Sequence, residues 1–272
     1  MTRLTAEHIG HIEASCEEWD RYLKAEAGLG LFDIAARVSG RDAGALKKAA
    51  ETYKVYVVPV TAGQGRIDSF SESVAAIIKA AGFDARVSGA SDVAGLCRAH
   101  AAGADIVFMA DDNKYIALNL KNGNLGENNI ATARGYIELL DSCAALNFSK
   151  GLDSKEVLLI GYGAVGTEMA AALKSKNAAV TVYDKDKGRL RAAAEAGYKI
   201  TENRACFKSF GLIADATSEG GWLTIDLLPE AFILVTPGVP LSLDKAARDK
   251  YKGRYFFDTL EIGTAAMLGL AV

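Results

Sequence analysis

Apolar residues in the first fifty positions recur at three- and four-residue spacing. Ile9, Ile12 and Cys16 are followed by Trp19 and Leu23, with Thr5 placed to cap the segment and Gly28 and Gly30 to interrupt it. Weaker helical patterns continue over residues 31–38 and 42–53. From Tyr53 the texture changes to short β-branched runs alternating with helical ones. Val55–Val60 reads as a strand ending in the Gly-rich turn Thr61–Gly65, and Ser69 caps a helix that Gly82 ends. A strand at 84–88, a helix at 91–102 and a strand at Asp105–Met109 follow. One long helix is predicted over 130–148, and Ser149-Lys150-Gly151 marks a boundary. Beyond it come the buried-strand run Val157–Ile160, a helix over 164–176, the strand Val180–Tyr183, and strands at 211–215, 232–236 and 254–258. Such alternation favours parallel sheets with right-handed crossovers. The expected fold is α/β: residues 1–149 form N-terminal helices and a smaller α/β substrate domain with a linker helix, and residues 150–272 form a Rossmann dinucleotide-binding domain.

Composition narrows the function. Half of the 272 residues are apolar, and 31 basic against 34 acidic residues leave a net charge of −3. A nucleic-acid binder would carry a basic excess, so no nucleic-acid partner is expected. No apolar run approaches the roughly 18–20 residues of a membrane span, and the first ten residues lack a signal-peptide core. Four scattered cysteines without a Cys-x-x-Cys suit a reducing compartment. A cytoplasmic protein with no membrane partner is expected. His8 and His11 stand three apart without a third ligand nearby, so no metal is expected.

The sharpest motif is Gly161-Tyr162-Gly163-Ala164-Val165-Gly166, a G-x-G-x-x-G that follows an apolar strand and opens a helix, with Asp184 ending the next strand. Gly161 permits the tight turn, Gly163 lets backbone approach a pyrophosphate, and Gly166 allows close helix–strand packing. The helix N-terminus at Ala164 and Val165 offers amide donors and partial positive charge to that pyrophosphate. Asp184 suits the adenosine ribose hydroxyls and would repel a 2′-phosphate, which favours NAD over NADP; Lys185, Lys187 and Arg189 soften that preference. Thr217, Thr236 and Pro237 end two later strands and are candidate nicotinamide-side contacts.

In the first half, three stretches carry polar chemistry: Ser69-Phe70-Ser71-Glu72-Ser73, Asp111-Asp112-Asn113, and the predicted polar loop Asn119–Asn124. Adjacent carboxylates at a strand end suit a cationic ligand, although Asp also caps helices and turns.

Taken in order, these segments resemble one family, the 3-methylornithyl-lysine dehydrogenases of pyrrolysine biosynthesis. The resemblance runs from about Val55 to the C-terminus, with Leu4-Thr5 matching more weakly. It rests on Val58-Pro59-Val60-Thr61 with Gly63-x-Gly65, Ser69–Ser73, Met109–Asn113, Asn119–Gly123, Thr236-Pro237-Gly238 and Ile262–Ala265. It implies NAD-dependent oxidation of the terminal amine of a lysine–methylornithine isopeptide, followed by ring closure to pyrrolysine. Leu4, Phe70, Ser71 and Asn119 would contact this substrate, and Asp111, with Asp112 beside it, would pair with its amine as the catalytic carboxylate. The sequence departs from the family pattern Glu-Pro-Leu-Gly-Ile-Gly-Thr, reading Asp258-Thr259-Leu260-Glu261-Ile262-Gly263-Thr264. Either Asp258 or Glu261 could take the role of that glutamate. The alternatives are another two-domain NAD(P)-dependent amino-acid or shikimate-type dehydrogenase, or a non-catalytic NAD-sensing module. Self-association as a homodimer is left open.

Overall fold

The structure is a computed structural model that describes residues 4–147 and 150–272. The chain divides into two compact units. One comprises residues up to Ala25, Leu29–Gly135 and Leu260–Val272; the other comprises Glu26–Gly28 and Tyr136–Thr259.

The first unit opens with helices α1 (Ala6–Ile9) and α2 (Ile12–Ala27), α3 (Leu31–Ser39) and α4 (Ala43–Thr52). The apolar stripe expected to run unbroken from Thr5 bends at Gly10, whose amide closes on the Ala6 carbonyl. Thr5 takes its capping place: its amide and hydroxyl both meet His8 Nδ1 at 3.1 Å, so His8 serves the helix start. Then follow β1 (Lys54–Val57), α5 (Phe70–Ala80), β2 (Asp84–Val87), α6 (Asp92–Ala101), β3 (Ile106–Ala110), β4 (Tyr115–Asn119), β5 (Leu125–Glu127) and α7 (Asn128–Asn147). The sheet order is β2-β1-β3-β4-β5. β1 pairs in parallel with β2 and β3, whereas β4 and β5 add antiparallel. The chain leaves β1 to one side and returns on the other, so β1 and β3 flank a topological switch point.

β4 and β5 extend the expected pattern. Tyr115–Leu118 is apolar at every position, so its period-two burial is invisible in polarity. The described part of the predicted 130–148 helix belongs to α7; residue 148 lies outside the described residues.

The second unit contains β6 (Glu156–Ile160), α8 (Ala164–Ser175), β7 (Ala179–Tyr183), α9 (Lys187–Glu195), β8 (Lys199–Ile200), β9 (Leu212–Asp215), β10 (Ile233–Thr236), α10 (Lys245–Lys250) and β11 (Tyr255–Phe257). Its parallel six-stranded order, β11-β10-β9-β6-β7-β8, is the doubly wound dinucleotide-binding arrangement, with β6 and β9 at the switch point. Phe207, Phe210, Leu223, Phe232 and Tyr251 pack under β6 and β10.

The last helix, α11 (Glu261–Ala271), belongs to the first unit. Every residue except Leu270 is buried, as suits a helix apolar on all sides. A Cβ at Gly269 would stand 2.2 Å from the Ala35 carbonyl oxygen, and one at Gly126 would stand 2.4 Å from that of Met267. Backbone contact with α3 and β5 therefore fixes α11 there. This differs from the single boundary expected at 149/150. The division falls inside α7 and again at Thr259/Leu260, because Gly151 and Leu152 fold back onto Asp141 of α7 instead of forming a linker.

Candidate functional site

In the second unit, β6 ends in a turn whose glycines are required for different reasons. Gly161 sits at φ +91°, and its amide bonds the Tyr183 carbonyl at 2.7 Å. A Cβ at Gly166 would stand 2.0 Å from the Gly161 carbonyl oxygen, so α8 can lie against the turn only without a side chain there. Gly163 is different. Its φ is −86°, and a Cβ would meet only the Arg189 guanidinium, at 3.5 Å. Among the described residues, nothing in the packing requires glycine at this position, whereas a phosphate approaching the backbone would. As the N-cap of α8, Gly163 supplies no side chain to the first turn at Ala164 and Val165. That leaves a ready anion site.

Asp184 is buried at the end of β7. Its Oδ2 accepts the Tyr162 amide at 2.7 Å and its Oδ1 the Asp186 amide at 2.8 Å. These bonds orient the carboxylate beside the turn, and each oxygen keeps a second lone pair for a ribose hydroxyl. Two of the three cations beyond Asp184 are directed apart: Lys185 bonds Glu219 at 2.5 Å, and the Arg189 guanidinium lies towards Gly163.

Thr217 is brought to the turn, its Cγ2 3.1 Å from where a Cβ on Gly161 would be. The loops after β9 and β10 are in backbone contact, since a Cβ at Gly238 would reach the Thr217 carbonyl oxygen. Pro237 lies half-buried in that loop, while Thr236 is wholly buried, so its hydroxyl faces inward. The residues present fit a dinucleotide.

In the first unit, Asp111 and Asp112 follow β3 at the switch point. Asp111 Oδ1 accepts the amides of Asn113 and Lys114, both at 2.7 Å, and these bonds go to one oxygen only. The Lys114 amide first, then that of Asn113, holds the exposed carboxyl below the usual carboxylate range. Asp112 Oδ2 accepts the Gln64 amide at 2.7 Å, tying the β3 loop to the β1 loop. Thr61 is likewise tied to Asp92 by amide and hydroxyl, at 2.8 and 2.6 Å. Ser69 (φ +65°) and Asp92 (φ +54°) hold left-handed backbone on these loops, which costs a non-glycine residue about 1–3 kcal/mol each. Ser69 stands at the N-cap of α5, but its side chain makes no capping bond. Ser71 is buried in the first turn of α5.

Phe70 meets Tyr115 edge-on at 5.5 Å, and the Tyr115 hydroxyl bonds that of Thr264 in α11 at 2.9 Å. Burial raises the Tyr115 hydroxyl above its ordinary range, so it serves as a neutral group. Tyr115 pairs with Ala110, the residue before Asp111. Phe70, Tyr115, Thr264 and the Asp111 turn thus share one end of the sheet. Sequence reasoning misses Tyr115, because an apolar run conceals it. Glu261, buried, begins α11 in the same helical turn as Thr264, and its Oε2 accepts the Leu260 amide at 3.0 Å. Asp258 lies in the second unit, buried, with its backbone held on both sides by the Tyr136 hydroxyl. Leu4, half-buried, precedes α1, which packs on α5 through Ser73 Oγ to the Ile9 carbonyl at 3.1 Å.

Asn119 is not brought to this group. β4 runs antiparallel to β3, so Asn119 pairs with Ile106 at the opposite end from Asp111. There its Nδ2 donates to the Ala271 carbonyl at 2.8 Å while its Oδ1 accepts the Lys121 and Asn122 amides. This polar motif serves the fold, closing a loop and anchoring the end of α11.

A fingerprint turn on this strand order defines the dinucleotide-binding half of a dehydrogenase-like fold, joined to a second α/β unit with its own switch point. A family model described as pyrrolysine biosynthesis protein PylD, N-terminal domain, matches residues 9–126. One described as ketopantoate reductase PanE/ApbA matches residues 157–224. Two curated relatives, both called pyrrolysine synthase, match nearly end to end. That of Methanosarcina barkeri (strain Fusaro / DSM 804) is 35% identical over 268 residues, covering 98% of this chain and 97% of its own. That of Methanosarcina acetivorans is 34% identical over 269 residues, covering 98% of each. Among solved structures, shikimate 5-dehydrogenase of Thermus thermophilus, in complex with NADP(H) and shikimate, shares the fold. Its TM-score is 0.50 at 16% identity, covering 80% of this chain and 90% of that one. The chain belongs to the PylD family of pyrrolysine synthases. Among the described residues, no helix is long and apolar enough to cross a membrane.

Proposed function

We propose that this protein is an NAD-dependent amine dehydrogenase of pyrrolysine biosynthesis. It would oxidise the terminal amine of the methylornithine part of a lysine–methylornithine isopeptide. The observation that carries the reading is the near full-length match to pyrrolysine synthases in a chain whose fingerprint turn keeps both its tight glycines and its open one.

Asp111 is the residue for the substrate's ammonium. Its Oδ1 is occupied by two amides, and Oδ2 takes part in neither bond. A carboxylate held acidic in this way stays charged, so it binds a cation well and removes a proton poorly. Its contribution is therefore to orient the amine-bearing carbon, with the nitrogen's proton passing to water so that its lone pair is free. Phe70 and Leu4 supply apolar surface for the aliphatic chain, and Glu261, on the first turn of α11, takes the role of the family glutamate. Gly163, the first turn of α8 and Arg189 would hold the pyrophosphate, Asp184 the adenosine ribose, and Thr217 and Pro237 the nicotinamide side. When bound, the nicotinamide accepts the hydride. The carbon–nitrogen bond becomes an imine, and the substrate's own α-amine captures that imine, or the aldehyde formed from it by water. Ring closure gives the pyrroline, and the original nitrogen leaves as ammonia.

The carboxylate at Asp184 and the engagement of Lys185 by Glu219 favour NAD over NADP. Besides NAD, this chemistry requires no partner other than the small substrate. Purified protein given the isopeptide and NAD should form NADH together with a product of pyrrolysine mass. Formation of neither would reject the reading.

A further inference from the structure

β9 ends in a carboxyl group that the proposed chemistry does not use. Asp215 is completely buried, and its Oδ1 is engaged by the Thr217 amide at 2.9 Å. Asp215 Oδ2, Thr217 Oγ1 and Ser242 Oγ are all buried without a hydrogen-bond partner among the described residues. The hydroxyls of Ser242, Thr217 and Thr236 are grouped around the carboxyl, and Ser242 and Thr236 are themselves fully buried. These groups come from three segments: the loop after β9, the end of β10, and the stretch before α10. The flanking strand residue on β6 is the apolar Ile160. Among the described residues, the Asp215 carboxyl makes no ion pair, and its neighbours are hydroxyls and the Thr217 amide.

A buried carboxylate with neither cation nor full solvation is costly, whereas a carboxylic acid can donate one hydrogen bond and accept others. We propose that Asp215 is a positioning residue which, as a neutral acid, donates to one of these hydroxyls and locks the loops after β9 and β10 together. Those loops carry Thr217, Thr236 and Pro237, so the effect on cofactor binding rests on the reading given above. Burial raises the proton affinity of this carboxyl more than the surrounding hydroxyls and the Thr217 amide lower it.

A carboxyl raised in the folded state destabilises the protein progressively as pH climbs from the unfolded-state value towards the folded-state one. Asn mimics the neutral acid and does not titrate. Asp215→Asn should therefore match the wild type in Tm near pH 4 and exceed it at pH 8. Its NADH affinity, read by fluorescence titration, should stay within about twofold of wild type. Asp215→Ala should lower both Tm and affinity. The proposal is overturned if the Asp215→Asn variant behaves like the alanine variant at pH 8, or if its Tm difference from wild type does not grow with pH. If the wild type binds no NADH, the cofactor reading fails, and the Tm comparison still decides the protonation of Asp215.

Discussion

The two units each place a loop pair at a switch point, yet they build their sites by opposite means. In the second unit, backbone does the work: two glycines are forced by contact or by positive φ, a third is left open, and one buried carboxylate is oriented by two amides. In the first unit, side chains do it: Asp111 holds its own turn through amides, Asp112 and Asp92 tie their loops to the loop after β1, and Phe70, Tyr115 and Thr264 form a contact chain from α5 through β4 to α11. Dinucleotide binding needs a shape that little besides glycine provides. The amine recognition proposed for the first unit would need one charge in one place, and many turns place an aspartate so. Substitutions in the first kind of site act through shape, and those in the second through the loss of one charge.

The largest effect should come from Gly166→Ala. Its Cβ would collide with the Gly161 carbonyl oxygen, at a cost of about 1–3 kcal/mol for overpacking, and both Tm and NADH binding should fall. Gly163→Ala is the control that isolates ligand from fold. Its Cβ fits, so Tm should be unchanged while NADH affinity drops about tenfold, the loss of one hydrogen bond's worth of contact. Equal loss of Tm in both variants would mean that Gly163 is structural.

In the first unit, Asp111→Asn should lower kcat/KM by roughly 10–100-fold, as expected for a charge-assisted bond, with NADH affinity intact. Unchanged turnover would remove Asp111 from the mechanism. Asn119→Ala should show the smallest effect on catalysis. It should cost about 1–3 kcal/mol of stability through three lost bonds and leave kcat/KM of the folded protein as it was; a specific loss of kcat/KM would return Asn119 to the substrate site.

The same contrast separates what the amino-acid sequence makes legible from what only the folded chain reveals. The strand–helix alternation and the fingerprint are legible because glycine at fixed offsets and β-branched runs are backbone statements. Asp111 is legible as a charged strand end, but whether it caps a turn or meets a ligand is not; the structure shows the cap and leaves one oxygen over. Asn119 misleads because a polar loop looks alike at either end of a sheet, and only the antiparallel turn after β3 tells which end it occupies. Tyr115 and the return of α11 stay hidden because both depend on contacts more than a hundred residues apart in sequence. Asp215 stands in plain view at the end of an apolar strand, but its burial becomes evident only when β6 and β10 close around it.

Isotope transfer tests the chemistry most directly. An isopeptide dideuterated at the carbon bearing the terminal amine should give NADH carrying one deuterium, with the second retained at the pyrroline carbon of the product. NADH without the label, or a product retaining both deuterium atoms, would show that hydride does not leave that carbon.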